Sequence, residues 1–208
     1  GFELDKYFKT DDLKKCSRFW IILFKTILSK LYHWKIYVVG SVEYQYPNHL
    51  FQAGYFLDKK YYDENTIDFK HLLLSEKNQS LLKDIQNSNS VGVHIRRGDY
   101  MTKQNLVIFG NICTQKYYHD AIRIITEKVN DAVFYVFSDD ISWVQTHLDI
   151  PNAVYVNWNT GESSIYDMYL MSSCKYNIIA NSTFSYWAAR LNKKTNMVIY
   201  PSKWYNTF

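Results

Sequence analysis

From Val91 onward the chain repeats one pattern, a short apolar run and then an amphipathic helical one, and this repetition restricts the fold more than any other feature. The alternation of Val91, Val93 and Ile95 reads as a strand over 91–95. A loop follows, then a helix from about Gln115 to Val129, with Thr114 as N-cap and Ala121, Ile122, Ile125 and Val129 on one face. Ala132 to Phe137 is a continuous apolar run, as expected of a strand buried on both sides. A short helix around Ile141–Leu148 and a strand over Ala153–Val156 come next. Ser164-Ile165-Tyr166-Asp167 reads as a capping box opening a helix to about Ser173. A strand over Tyr176–Ala180, a helix over Thr183–Leu191 and a strand over Met197–Tyr200 complete the series. Strand, helix, strand, repeated four times, predicts an α/β fold with a parallel sheet covered by helices on both faces.

The first ninety residues carry weaker signals. Residues 1–35 look helical, with Phe19, Ile22, Leu23, Ile27 and Leu31 as a buried face, and Val38-Val39 begins a strand. The run Phe19–Leu31 is broken by Lys25 and Lys30 and is too short and too charged to span a membrane. Residues 63–88 read as a polar helical segment with Leu72, Leu73, Leu81, Leu82 and Ile85 on its apolar side. Asn87-Ser88-Asn89-Ser90 is a polar linker, which divides the chain into a mixed or mostly helical region, 1–90, and a sheet domain, 91–208.

Several function classes lose support at once. The 24 basic and 20 acidic residues leave a mild charge of +4, with no long basic run of the kind that binds nucleic acid. There is no Gly-x-Gly-x-x-Gly, no Gly-x-x-x-x-Gly-Lys and no Gly-x-Ser-x-Gly, which argues against the usual dinucleotide enzymes, phosphate-loop enzymes and α/β-hydrolases. Cys16, Cys113 and Cys174 are odd in number and far apart, so they offer neither metal spacing nor a disulfide framework and favour a reducing compartment. The isolated His33 and His49 read as structural or solvated. The 19 Tyr, 12 Phe and 6 Trp suit sugar stacking, but most belong in a core.

The chemistry gathers at the ends of the strands. The first ends in Arg96-Arg97-Gly98-Asp99 and the second in Ser138-Asp139-Asp140; the third precedes the loop Asn157–Ser164, and the fourth ends in Asn181-Ser182-Thr183-Phe184-Ser185. In a parallel sheet these tips share one edge, where ligands bind. Two arginine forks suit phosphate oxygens. A carboxylate can accept the N–H pair of a guanine edge or bond ribose hydroxyls, and a Ser/Thr cluster at a helix start offers hydroxyls and N–H groups to phosphate. Each tip also has a purely structural reading: an Arg–Asp99 ion pair, Gly98 as a sharp turn, and Ser138, Asp139, Ser182 or Thr183 as helix caps.

The motifs at these tips resemble those of the α-1,2-fucosyltransferases, glycosyltransferase family 11. His94-x-Arg96-Arg97-Gly98-Asp99-Tyr100 resembles the family's first signature, and Phe137-Ser138-Asp139-Asp140 with Trp143 its second. Asp167 to Lys175, then Ile178 to Ala189, resembles the third over more than twenty residues, with Tyr176 or Asn177 where histidine is usual and Tyr186 where tryptophan is usual. Gly54-Tyr55-Phe56 with Lys60-Tyr61-Tyr62 is similar to a segment preceding the arginine motif, and residue by residue reads as a packed aromatic turn. The glycine-rich opening segment of the family has no counterpart here. The resemblance implies a GT-B-like fold, with residues 91–208 as a complete Rossmann-like GDP-fucose domain and residues 1–90 as part of an acceptor-side domain.

The resemblance also implies the reaction: L-fucose moves from GDP-β-L-fucose to the 2-hydroxyl of a terminal galactose, with inversion. Negative charge grows on the departing phosphate and requires a preorganised cation. Arg96 takes that part, assisted by Arg97 and by the helix start at Asn181, Ser182, Thr183 and Ser185. Asp139 and Asp140 are adjacent and lack the Asp-x-Asp spacing, so no metal and no other cofactor is expected. His94 with Asp140 or Asp139 would hold the guanosine, and Asp99 is either the base for the acceptor hydroxyl or the lock on Arg96. Two alternatives stand beside this reading: a donor-binding module without turnover, and a transferase of another sugar nucleotide. Asn181-Ser182-Thr183 is formally a glycosylation sequon and reads as structural. The Asn-, Lys- and Tyr-rich composition and the lack of an anchor point to a bacterial cytoplasmic enzyme of surface-glycan synthesis, with peripheral association at the inner membrane surface.

Overall fold

The computed structural model describes residues 4–9, 27, 37–40, 51–54 and 67–206. The chain divides into two units, residues 8–68, and residues 1–7 together with 69–208.

In the smaller unit, β1 (Tyr37–Gly40) pairs in parallel with β2 (Phe51–Gly54), Tyr37 opposite Phe51 and Gly40 opposite Gly54. Of the apolar face expected over Phe19–Leu31, Ile27 alone falls among the described residues; it is helical and 41% exposed. The rest of that face, the aromatic segment after Gly54, Cys16, His33 and His49 lie outside the described residues.

The larger unit is built on a five-stranded parallel sheet in the order β5-β4-β3-β6-β7. Its strands are β3 (Asn89–Ile95), β4 (Ala132–Ser138), β5 (Ala153–Val156), β6 (Tyr176–Ile178) and β7 (Met197–Ile199). The helices are α1 (Leu4–Tyr7), α2 (Glu76–Asn87), α3 (Lys103–Phe109), α4 (Gln115–Lys128), α5 (Ile141–His147), α6 (Ser164–Ser172) and α7 (Thr183–Leu191). The expected strand and helix series from Val91 is therefore present in order, with ends shifted by one or two residues. This unit also takes in residues 69–90, ahead of the expected boundary, because α2 buries Leu81 and Ile85 and leads straight into β3.

Alternation along β3 assigns the two faces of the sheet. Val91, Val93 and Ile95 enter one core with Phe134 and Val136 of β4, Tyr118, Ala121, Ile122 and Ile125 of α4, and Val144 of α5. Ser90, Gly92 and His94 face the other side. There the Ser90 hydroxyl accepts the Lys175 N–H at 3.1 Å, and a Cβ on Gly92 would stand 2.8 Å from the Asn177 amide. Helix α6 buries Ile165, Met168, Leu170 and Met171, and α7 buries Ala188 and Ala189. A buried Leu or Ile side chain contributes about 1.5–3 kcal/mol relative to exposure.

The local signals explain most helix starts. Thr114 Oγ accepts the Tyr117 N–H at 3.3 Å and caps α4, as its sequence predicts. Ser75 does the same for α2, so the helix expected over 63–88 begins only at Glu76. The segment expected as a loop after β3 contains a 3₁₀ turn, Gly98–Met101, and helix α3, whose N-cap Thr102 accepts the Asn105 N–H. The capping box at Ser164–Asp167 does not form. A short 3₁₀ turn, Gly161–Ser163, enters α6 directly, and Asp167 bonds Asn159 instead.

Candidate active site

Register brings the arginines to the carboxylates. Strands β3 and β4 are parallel with Ile95 opposite Ser138, so the residues that follow, Arg96 and Asp139, emerge side by side. Arg96 Nη1 lies 2.7 Å from Asp139 Oδ2 and Arg96 Nη2 lies 2.6 Å from Asp99 Oδ1. Asp139 Oδ1 accepts the Arg97 backbone N–H at 2.9 Å. Arg97 Nε donates to Asp140 Oδ2 at 3.2 Å, and its guanidinium lies 3.7 Å above the Trp143 ring. Asp140 Oδ1 accepts the Trp143 N–H at 3.1 Å and so caps α5.

Gly98 opens the 3₁₀ turn after β3 and also serves this cluster by making room. Its φ is outside the left-handed region, and a Cβ there would meet Asp139 Oδ2 at 2.4 Å. Only a residue without a side chain lets the Asp139 carboxylate reach both arginines.

His94 ends the same strand on its other face. It is 5% exposed, and its Nδ1 has no hydrogen-bond partner. Its ring lies 5.2 Å from that of Phe184 at the start of α7, and its carbonyl accepts the Tyr118 hydroxyl at 3.2 Å. Burial, helped by the Arg96 charge, lowers its pKa to about 3, so the imidazole is neutral at ordinary pH. A buried polar atom without a partner is costly in a folded chain, which sets this nitrogen apart from the satisfied polar groups around it.

The fourth strand tip is built inward more than outward. Asn181 is buried, and its amide donates to the carbonyls of Phe109 at 3.1 Å and Trp204 at 3.0 Å. Its own carbonyl accepts the Tyr100 hydroxyl at 2.9 Å, tying the loop after β6 to the arginine loop. Ser185 is buried with its hydroxyl on the carbonyls of Ala180 and Ser182. Asn181 and Ser185 thus build the loop, a role their sequence reading as ligand groups did not include. Ser182 makes no side-chain cap to α7, and Thr183 is exposed. The loops after β3 and β6 flank the point where strand order reverses, the usual crevice of such a sheet.

One feature of this edge carries no sequence signal. Asn78 of α2 is 1% exposed and gathers the loop after β5. Its Oδ1 accepts Trp158 Nε1–H at 2.7 Å and Asn159 Nδ2–H at 3.1 Å, while its Nδ2 donates to Asn159 Oδ1 at 3.0 Å. Asn159 Nδ2 also donates to Asp167 Oδ1 at 2.7 Å. Burial pushes the Asp167 carboxyl up to about 7, against the opposing pull of the Asn159 amide. Asn78 lies some eighty residues from Trp158 and Asn159 in sequence, so the loop Asn157–Ser164 and Asp167 stand out along the chain but their tie to Asn78 does not. Among the described residues no group of three or more His, Cys, Asp or Glu could hold a metal ion, and no helix is long and apolar enough to cross a membrane. A surface cavity of about 420 Å³, lined by Val129, Asp131, Phe134 and Pro151, opens at the opposite edge of the sheet.

Comparison with known proteins supplies the class. The chain is 35% identical over 176 residues to an alpha-1,2-colitosyltransferase of Escherichia coli, covering 80% of this chain and 57% of that protein. It is 44% identical over 122 residues to the O-antigen biosynthesis glycosyltransferase WbnK of Escherichia coli, covering 58% and 40%. It is 29% identical over 128 residues to the galactoside alpha-(1,2)-fucosyltransferase 2 of Pongo pygmaeus, covering 58% and 37%. The chain spans about half the length of the curated relatives it matches. The family profile described as glycosyl transferase family 11 matches residues 11–208, nearly the whole length, with both arginines and the strand-tip carboxylates inside the match, and the chain belongs to that family.

Proposed function

We propose that the protein containing this chain is a galactoside α-1,2-fucosyltransferase. It transfers L-fucose from GDP-β-L-fucose, with inversion, to the 2-hydroxyl of a terminal galactose. Residues 91–208, together with residues 69–90 that pack in the same unit, form the donor domain of a GT-B-like pair, and residues 8–68 belong to the acceptor side. The observation that carries this reading is the pair of guanidiniums held at the sheet's ligand edge by register with β4. There they meet the negative charge that develops on the leaving diphosphate. Arg96 is the principal cation, with Arg97 and the start of α7 at Ser182 and Thr183 assisting. His94, neutral and with Nδ1 unpaired, holds the guanosine together with Asp139 or Asp140. Asp99 accepts the proton of the acceptor hydroxyl or holds Arg96 in place. On this reading no metal takes part. The O-antigen name of one relative supports a role in surface-glycan synthesis.

Calorimetric titration with GDP, UDP and GDP-fucose in the presence of EDTA tests the donor site. The expected result is binding of GDP but not UDP, lost in Arg96→Ala. Equal binding of UDP, or full GDP binding by a folded Arg96→Ala, would refute it. A second reading, GDP-colitose as donor, is favoured by the 35% identical colitosyltransferase. Turnover of the two GDP-sugars on one galactoside acceptor separates them.

A further inference from the structure

The arginine site carries more counter-charge than a diphosphate can tolerate. Arg96 and Arg97 contact three carboxylates, Asp99, Asp139 and Asp140, which leaves the cluster one negative charge. An anionic ligand entering such a site meets repulsion unless a carboxylate withdraws.

The three are not equally free to do so. Asp139 bonds both the Arg96 guanidinium and the Arg97 backbone, and it fills the space that Gly98 leaves. Asp140 bonds Arg97 and caps α5. The Asp99 carboxylate bonds Arg96 alone, and its side chain is 55% exposed, against 27% for Asp139 and 40% for Asp140. Its backbone is fixed independently, because the Asp99 carbonyl accepts the Thr102 N–H, the Thr102 hydroxyl and the Asn105 amide. The side chain can therefore swing into solvent with no loss of packing and no movement of the loop.

We infer that Asp99 is a displaceable stand-in for the donor's phosphate. It holds Arg96 at the strand tip through Nη2, and on donor binding a phosphate oxygen takes its place. Asp99 is thus a positioning residue that keeps Arg96 extended and is exchanged when the ligand arrives. This inference rests on the donor reading given above.

The test is titration of the whole chain with GDP and with guanosine, comparing wild type with Asp99→Asn and Asp99→Ala. Removing the competing charge should tighten GDP by roughly two- to fivefold, the range for releasing one exposed ion pair, and leave guanosine unchanged. A residue with a merely structural role would only lose affinity when replaced. Unchanged or weaker GDP binding by both variants, each unfolding at the wild-type temperature, would overturn the inference and leave the donor reading intact. Absence of GDP binding by the wild-type chain would overturn the donor reading and this inference with it.

Discussion

Replacing Asp167 with Asn should stabilise the protein at alkaline pH and make no difference in acid. Asp167 is partly buried in the first turn of α6, and burial raises its carboxyl from 3.8 to about 7. The folded chain therefore holds this proton more tightly than the unfolded chain does. Stability attributable to this group falls as pH rises from about 4 to about 7 and is constant above. The rise from 3.8 to about 7 sets an upper bound of about 4 kcal/mol, and solvent screening brings the expected penalty nearer to 2 kcal/mol. In Asp167→Asn the side-chain oxygen still accepts the Asn159 N–H and the charge is gone. At pH 8 the variant should melt roughly 4–8 °C above wild type, the scale for 2 kcal/mol in a chain of this size. Below about pH 3.5, where the carboxyl is protonated in both folded and unfolded chains, the two should coincide, and at pH 5 part of the difference is already present. His94 acts in the opposite sense, since its pKa of about 3 lowers stability as pH falls below about 6.5. The wild-type profile alone thus mixes two trends, and the difference between the two proteins isolates one. Thermal unfolding followed by circular dichroism from pH 3.5 to 9 gives both curves. A difference that does not change with pH, or a variant less stable at pH 8, would refute the argument.

Gly98→Ala should push the Asp139 carboxylate away from Arg96 and weaken GDP binding about tenfold, read by calorimetry, while the melting temperature falls by only a few degrees because the site is at the surface. Asn78→Ala leaves the Trp158 indole N–H and the Asn159 amide without their partner, and should cost about 2–4 kcal/mol in urea unfolding. A loss below about 0.5 kcal/mol would mean that water replaces the amide at no cost.

Much of the fold of the larger unit is legible along the chain because its causes are local. The alternation in β3, the continuous apolar run of β4 and the Thr114 cap each act within a few residues, and each appears where the sequence places it. Helix α3 was missed because Leu106 and Val107 remain exposed, so no apolar face announces it. The Ser164–Asp167 capping box misled because a buried asparagine network claims Asp167.

The sequence by itself determined the order of strands and helices, and the presence of two arginines, several carboxylates and a histidine at strand ends. These follow from residue type and spacing, which act over one turn of helix or one strand. Tertiary structure decided what each of those groups does. The register of Ile95 with Ser138 set which carboxylate meets which guanidinium. Burial beneath its neighbours, Phe184 among them, made His94 neutral and left its Nδ1 without a partner. The approach of Asp139 made Gly98 a matter of space. Charge, burial and close contact depend on distances between residues far apart in the chain, and those distances exist only after the sheet has closed.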